Sequence, residues 1–369
     1  MREDRAPKKI AGLFSTQEKI TIAVSVIATL LTLVLRSGGA NSVLIFVVSA
    51  VALAGLASLV GNGTDQLGHY LGPGATGVLQ SALGNLPELF IGIFALRAGL
   101  ELVVQTALVG SILANSLLVL GLAFLAGGLK NGVQKFGTTQ TRMISMLLVL
   151  SVAALSIPAI ATAPGGPGAG HKEGLSLIVS VILLVVFAAS IPFSLQGGPG
   201  ASEKEISFEH PWPLPLVVGA LFLVALSAAF VSDWFVEALK PAMAVLHLSQ
   251  GFVGMVIVGI AGNAVENVVG IQMALRNDLD LSLSLILNSS LQVALALAPA
   301  LVILSRFLGG VHLTLVLPPL LIAALALTAI LGAVIVDDGE STWLEGVALI
   351  GLYLIIAASF WWGAPMTAS

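Results

Sequence analysis

Two short stretches carry the residues that could do chemistry. Gly84-Asn85-Leu86-Pro87-Glu88 and Gly262-Asn263-Ala264-Val265-Glu266 each set a carboxylate three residues after an asparagine, inside otherwise apolar runs. A charge at the bilayer centre costs from about 3 to more than 10 kcal/mol, so it faces an interior site rather than lipid. A hard cation takes oxygen ligands and needs neither thiolates nor clustered imidazoles. Glu88 and Glu266 supply negative charge, Asn85 and Asn263 amide oxygens, and the chain around Gly84 and Gly262 freed backbone carbonyls. That donor set fits Ca²⁺ or Na⁺ rather than Zn²⁺ or Cu²⁺. The same two glutamates can also take protons.

The motif is duplicated. Glu88 and Glu266 lie 178 positions apart, and that offset also pairs Gly92 with Gly270 and Ile93 with Ile271. One inserted residue then pairs Ala95-Leu96-Arg97 with Ala274-Leu275-Arg276, and Ser111 with Ser290. Interrupted polar segments at equivalent places in two halves mark a repeat-built transporter with its site between the halves. Ser111 and Asn115 in the first half, and Asn288, Ser289, Ser290 and Gln292 in the second, are candidate supporting groups. Their alternative role is hydrogen bonding between membrane helices. Asp65 and Asp233 read as carboxylates at the two mouths of a pathway, or else as ordinary interfacial caps.

The elements that position these groups must cross a membrane. The chain of 369 residues is 57% hydrophobic and 9% charged, with a mean hydropathy of +1.05; a soluble domain carries about a quarter charged residues. Spans of about 20 apolar residues fall at 19–35, 42–61, 73–96, 102–126, 141–161, 175–195, 214–235, 249–275, 280–305, 313–335 and 343–362. The expected architecture is an all-α polytopic membrane protein of about eleven transmembrane helices. Residues 1–18 form a cytoplasmic segment and 19–35 an extra peripheral helix. Two five-helix repeats, 42–195 and 214–362, flank a cytoplasmic linker at 196–213. An odd number of helices per repeat inverts the second copy. The third and eighth runs, which hold the motifs, should be broken; Pro87 cannot donate a backbone hydrogen bond.

Of the 15 Lys and Arg, only Arg36, Arg97, Lys172, Lys240 and Arg306 fall outside if the N-terminus is inside. The other ten place the N-terminus in the cytoplasm of a cell whose inner membrane holds the protein. Net charge is −4 with scattered basic residues, which excludes a nucleic-acid partner. There is no cysteine, hence no disulfide or thiolate site. No His-Glu-x-x-His pair or other catalytic constellation is present, so an enzyme is not expected, and no cofactor is implied beyond Ca²⁺ as substrate. A channel would need a continuous polar lining or an oligomeric ring, whereas here one chain supplies both carboxylates. Oligomeric state is left open.

At these residues the sequence resembles the Ca²⁺/H⁺ antiporter branch of the cation/Ca²⁺ exchanger superfamily. The resemblance rests on Gly84-Asn85-x-x-Glu88, Ile93 to Gly99, Gly110-Ser111-Ile112 to Asn115, Gly262 to Glu266, Ser289 to Gln292, Asp338-Gly339 and Trp343 to Gly346. It implies eleven helices in two inverted repeats, with Ca²⁺ and protons alternating at Glu88 and Glu266. Three positions depart from the family pattern. Asn267 stands where a His is usual, Asn288 where a Gly is usual, and Leu86-Pro87-Glu88 is closer to the Na⁺/Ca²⁺ exchangers. They leave Na⁺ open as the counter-ion.

Overall fold

The computed structural model describes residues 15–195 and 212–361, with backbone alone at 17, 71–82, 192–195 and 264–266. The linker at 196–211 and the N-terminal segment to residue 14 lie outside the described residues, as does residue 362. So does the side chain of Glu266.

The described chain is helical almost throughout, as lipid demands: with no water to satisfy backbone groups, each span must close its own hydrogen bonds. Helix α1 (Thr16–Ser37) starts three residues before the predicted span, because Ser15 and Glu18 form a capping box. It packs on α2 (Ser42–Leu83). The sequence predicts two separate helices at 42–61 and 73–96, but α2 runs continuously from 42 to 83 through Gly72-Pro73-Gly74. The break comes instead at Gly84-Asn85, after which α3 (Leu86–Arg97) begins.

Next come α4 (Glu101–Leu113), a π-helical segment (Ala114–Val119) and α5 (Leu120–Asn131), which form one span. A two-residue strand β1 (Gln134–Lys135) leads to α6 (Thr138–Ala161) and α7 (Lys172–Leu195). The second half opens with α8 (Leu214–Leu246), which packs most extensively on α2. It extends eleven residues past the predicted end at 235 and does not stop at Pro241. Then follow α9 (Gln250–Phe252), a π segment (Val253–Val258) and α10 (Gly259–Gly262). After the break come α11 (Ala264–Leu275), α12 (Leu279–Gln292), a third π segment (Val293–Leu297) and α13 (Ala298–Ser305).

The last elements are α14 (Pro319–Ile335), strand β2 (Glu340–Ser341) paired antiparallel with β1, and α15 (Trp343–Trp361). The helix predicted to start at 313 starts instead at Pro319: 311–318 is irregular, and Pro318-Pro319 admits a helix only from that point on. Lys135 bridges Glu340 at 2.9 Å across β1 and β2. That bond, with the charge of Glu340, raises the lysine pKa above its ordinary value.

Every predicted run contains helix. Among the described residues eight helices are long and apolar enough to cross a bilayer, and Gln250–Gly262 with Asn267–Leu275 make a ninth if that pair, bent by 60°, is one span. α14 is a shorter apolar helix, and the remaining run, the third, is the one broken at Gly84-Asn85. Large apolar side chains such as Phe222, Leu327, Ile330 and Ile355 are more than half exposed, as expected where lipid is the solvent. The buried core instead gathers where the two halves meet. There α4 crosses the π segment 253–258, and a Cβ added at Gly254 or Gly259 would strike the backbone of α4 at Val103 or Gly110. Only glycine permits helices to approach so closely.

Candidate functional site

The two breaks are the same structure twice. Asn85 stands before α3 with φ −97°, ψ 24°, and Asn263 before α11 with φ −96°, ψ 21°. Both following helices have 12 residues. Both end in a turn with one residue of positive φ, Gly99 (75°) and Asn277 (62°), the two residue types that tolerate it most readily. The backbone therefore keeps the 178 offset through that turn. The inserted residue suggested by Ala95-Leu96-Arg97 falls later, in α12, which has 14 residues where α4 has 13. Beyond it the offset is 179, and the π segments beginning at Ala114 and Val293 coincide.

Each break leaves the last carbonyls of one half-helix and the first N–H groups of the next without intrahelical partners. Pro87 sits at the second position of α3, where its missing N–H costs nothing. Glu88 occupies the first turn, where the positive end of the helix dipole favours a carboxylate. It is only 7% exposed. Its carboxyl lies against Gly262 of the other half: a Cβ added there would sit 2.5 Å from Glu88 Cγ and 2.6 Å from Oε1. Gly262 thus has a steric reason to be glycine.

Around this contact the polar side chains join the halves. Asn85 Nδ2 donates to Gln292 Oε1 at 3.2 Å. Asn115 Nδ2 donates to Asn263 Oδ1 at 3.0 Å and to Ser289 Oγ at 2.9 Å, and Ser289 Oγ donates to Asn263 Oδ1 at 3.2 Å. Asn263 Nδ2 donates to Gly259 O at 2.8 Å, which fixes its orientation across the break. Asn115 Oδ1 is buried and accepts no hydrogen bond among the described residues, leaving one amide oxygen for an incoming ion. Ser116 Oγ and Ser290 Oγ lie 3.0 Å apart. Ser116 has no serine counterpart in the second half, so duplication gave no signal for it.

A cavity of about 20 Å³ runs from Glu88 along α3 towards the end that carries Arg97. Its walls are apolar (Ile91, Val104, Leu108, Leu301) apart from Glu88 and Ser111. Leu301 fills the notch left by Gly92. Asn115, Asn85, Asn263, Ser289, Ser290 and Gln292 lie together in these bonds, and Ser111 lines the cavity beside Glu88. Asn288 is half-buried and joins none of these bonds. Asp65 and Asp233 join none either; both lie within longer helices than predicted, Asp65 partly buried and Asp233 exposed. Among the described residues no group of three or more His, Cys, Asp or Glu could hold a metal ion, and Glu266 lies outside that comparison.

The family profile described as "Sodium/calcium exchanger protein" matches residues 41–196 and again 216–362. The chain belongs to that family. A Ca²⁺/H⁺ antiporter, ChaA, of Bacillus subtilis (strain 168) is 35% identical over 327 residues, covering 86% of this chain and 92% of the relative. The solved structure of native YfkE superposes with a TM-score of 0.80 at 30% identity, covering 92% of this chain and 99% of YfkE. An H⁺/Ca²⁺ exchanger, CAX, shares the fold with a TM-score of 0.75 at 16% identity. The family places this chain among integral, multi-pass membrane transporters rather than enzymes.

Proposed function

We infer that this exchanger moves Ca²⁺ one way and protons the other across its membrane. Glu88 and Glu266 are the shared site, and Asn85, Asn263 and the carbonyls around Gly84 and Gly262 complete the oxygen set. The observation that carries the assignment is Glu88, buried in the first turn of α3 and seated against Gly262 in the opposite break. The repeat relation gives Glu266 the corresponding place at the start of α11. Ser111, Asn115, Ser289, Ser290 and Gln292 hold the two halves in register around it.

Coupling follows from electrostatics. Two ionised carboxylates in a dry cavity are penalised by several kcal/mol per ion. One Ca²⁺ or two protons neutralise them. About 5.5 kcal/mol is enough to turn a conformational ratio of 99:1 into 1:99. The empty, charged carrier therefore rarely changes sides, whereas either loaded form does. Ca²⁺ is substrate here, and no resident cofactor is required. The Lys and Arg asymmetry supports a cytoplasmic N-terminus in an inner membrane.

Purified protein in liposomes should take up ⁴⁵Ca when a pH gradient alone is imposed, in the absence of Na⁺. Glu88→Gln and Glu266→Gln should each abolish it. Uptake that required Na⁺ would transfer the assignment to Na⁺/Ca²⁺ exchange, and normal exchange by either variant would remove the glutamates from the site.

A further inference from the structure

Two stretches outside the site hold one half to the other through bonds that belong to no helix or strand pairing. Residues 310–317 are irregular, with a bend at Leu315, yet Leu313 and Leu315 are buried. The first half satisfies much of their backbone. Val311 N donates to Leu96 O at 3.3 Å, Thr314 N to Glu101 Oε1 at 3.1 Å, and Leu315 N to Ser176 Oγ at 3.0 Å. Gln105 Nε2 donates to Thr314 O at 2.9 Å. On the opposite face, the strap at 131–137 binds the second half. Gln134 Nε2 donates to Ala274 O and to Asn277 Oδ1, both at 2.9 Å, and Gly137 N donates to Asp280 Oδ1 at 2.6 Å.

The two straps do the same work with different bonds. The stretches 131–137 and 310–316 share the 179 offset, and the acceptors Glu101 and Asp280 stand in the first turns of the equivalent helices α4 and α12. Leu96 lies in the last turn of α3, which carries Glu88, and Ala274 in the last turn of α11, which carries Glu266. Each half thus sends a strap across to hold the far end of the other half's carboxylate helix, on opposite faces of the molecule.

We propose that Glu101 with Gln105, and Asp280 with Gln134, are positioning residues for exchange. Each pair forms a cross-repeat clamp that must yield before its own face can open. The helices remain free to pivot at their other ends, Asn85 and Asn263, where the backbone is already interrupted. A carboxylate accepting a backbone N–H makes a charge-assisted bond. Removing one clamp lowers the cost of opening on that face alone and so shifts the population toward it. The proposal rests on the exchange reading above, but its test follows conformation rather than Ca²⁺ flux.

The chain has no native cysteine. Val104→Cys, buried in the cavity that lies between Glu88 and the Glu101 face, therefore reports opening there through labelling by a polar maleimide. In a Val104→Cys protein that still exchanges Ca²⁺, Glu101→Ala should speed labelling roughly tenfold, the order expected for losing bonds to a charged acceptor. Asp280→Ala, on the other face, should slow it. Glu101→Gln keeps an acceptor oxygen and should stay within about twofold of the parent. Gln105→Leu, which removes the bonds to the strap carbonyls and the long one to Glu101 but leaves the carboxylate on Thr314 N, should speed labelling and serves if Glu101→Ala does not fold. Labelling that both alanine variants accelerate alike would mean general loosening and overturn the proposal, as would no change in either. Opposite labelling shifts in a protein whose Ca²⁺ uptake proved to need Na⁺ would fault the exchange reading and leave the clamps standing.

Discussion

At the scale of single residues, the decisive contact is Glu88 against Gly262. The Gly-Asn-x-x-Glu spacing points to the carboxylates, but it gives no reason why the glycine must be glycine. The structure supplies one: the notch is occupied by the other half's carboxyl. Gly262→Ala should therefore push Glu88 from its place. Overpacking of this kind costs about 1–3 kcal/mol, which corresponds to Ca²⁺ binding weaker by about fivefold to about 150-fold. Isothermal titration of the purified variant should show that loss while its thermal unfolding changes little. Unaltered affinity would mean that the carboxyl has room to spare. Asn115 teaches the complementary lesson. In sequence it is one polar residue in an apolar run, and only its bonds to Asn263 and Ser289 reveal it as a junction between halves.

At the scale of elements, the π segments explain how the polar cluster fits inside continuous membrane helices. A π turn accommodates one extra residue without breaking the helix, and such bulges recur at functional sites. Those at 114–119 and 293–297 occupy equivalent positions of the two halves and adjoin Asn115, Ser290 and Gln292. Deleting Leu118 should convert the first to α-helix, keep the register of α5, and swing Asn115 out of the cluster. We expect a variant that reaches the membrane and purifies as a monodisperse protein but transports at less than about a tenth of the normal rate, since the orphaned amides lose about 1–3 kcal/mol. Retention of full transport would show that the bulge is a packing accident. Hydropathy cannot reveal such a feature, because one of these bulges holds Asn115 and Ser116 and the other is wholly apolar.

At the scale of the whole molecule, antiport and orientation are the testable properties. Ca²⁺ efflux from loaded vesicles should need a proton supply on the opposite side, and a channel would not. Orientation can be read with single cysteines at two exposed positions. Ala169→Cys lies in the turn between α6 and α7, and Lys135→Cys lies on β1. With the N-terminus cytoplasmic, an impermeant reagent should label position 169 on intact cells, and position 135 only after permeabilisation. The reverse pattern would invert the topology.

The sequence by itself determined the elements and the two carboxylates. Both are local demands: a span must be long and apolar, and a buried charge stands out against that background wherever it occurs. The tertiary structure decided what meets what. The 178 register through the turn, the convergence of Asn115 with Asn263, the unused Asn288, and the straps that bind each half to the other depend on packing between residues more than a hundred positions apart. No short window of sequence contains those contacts, because the free energy that selects them exists only once both halves have come together.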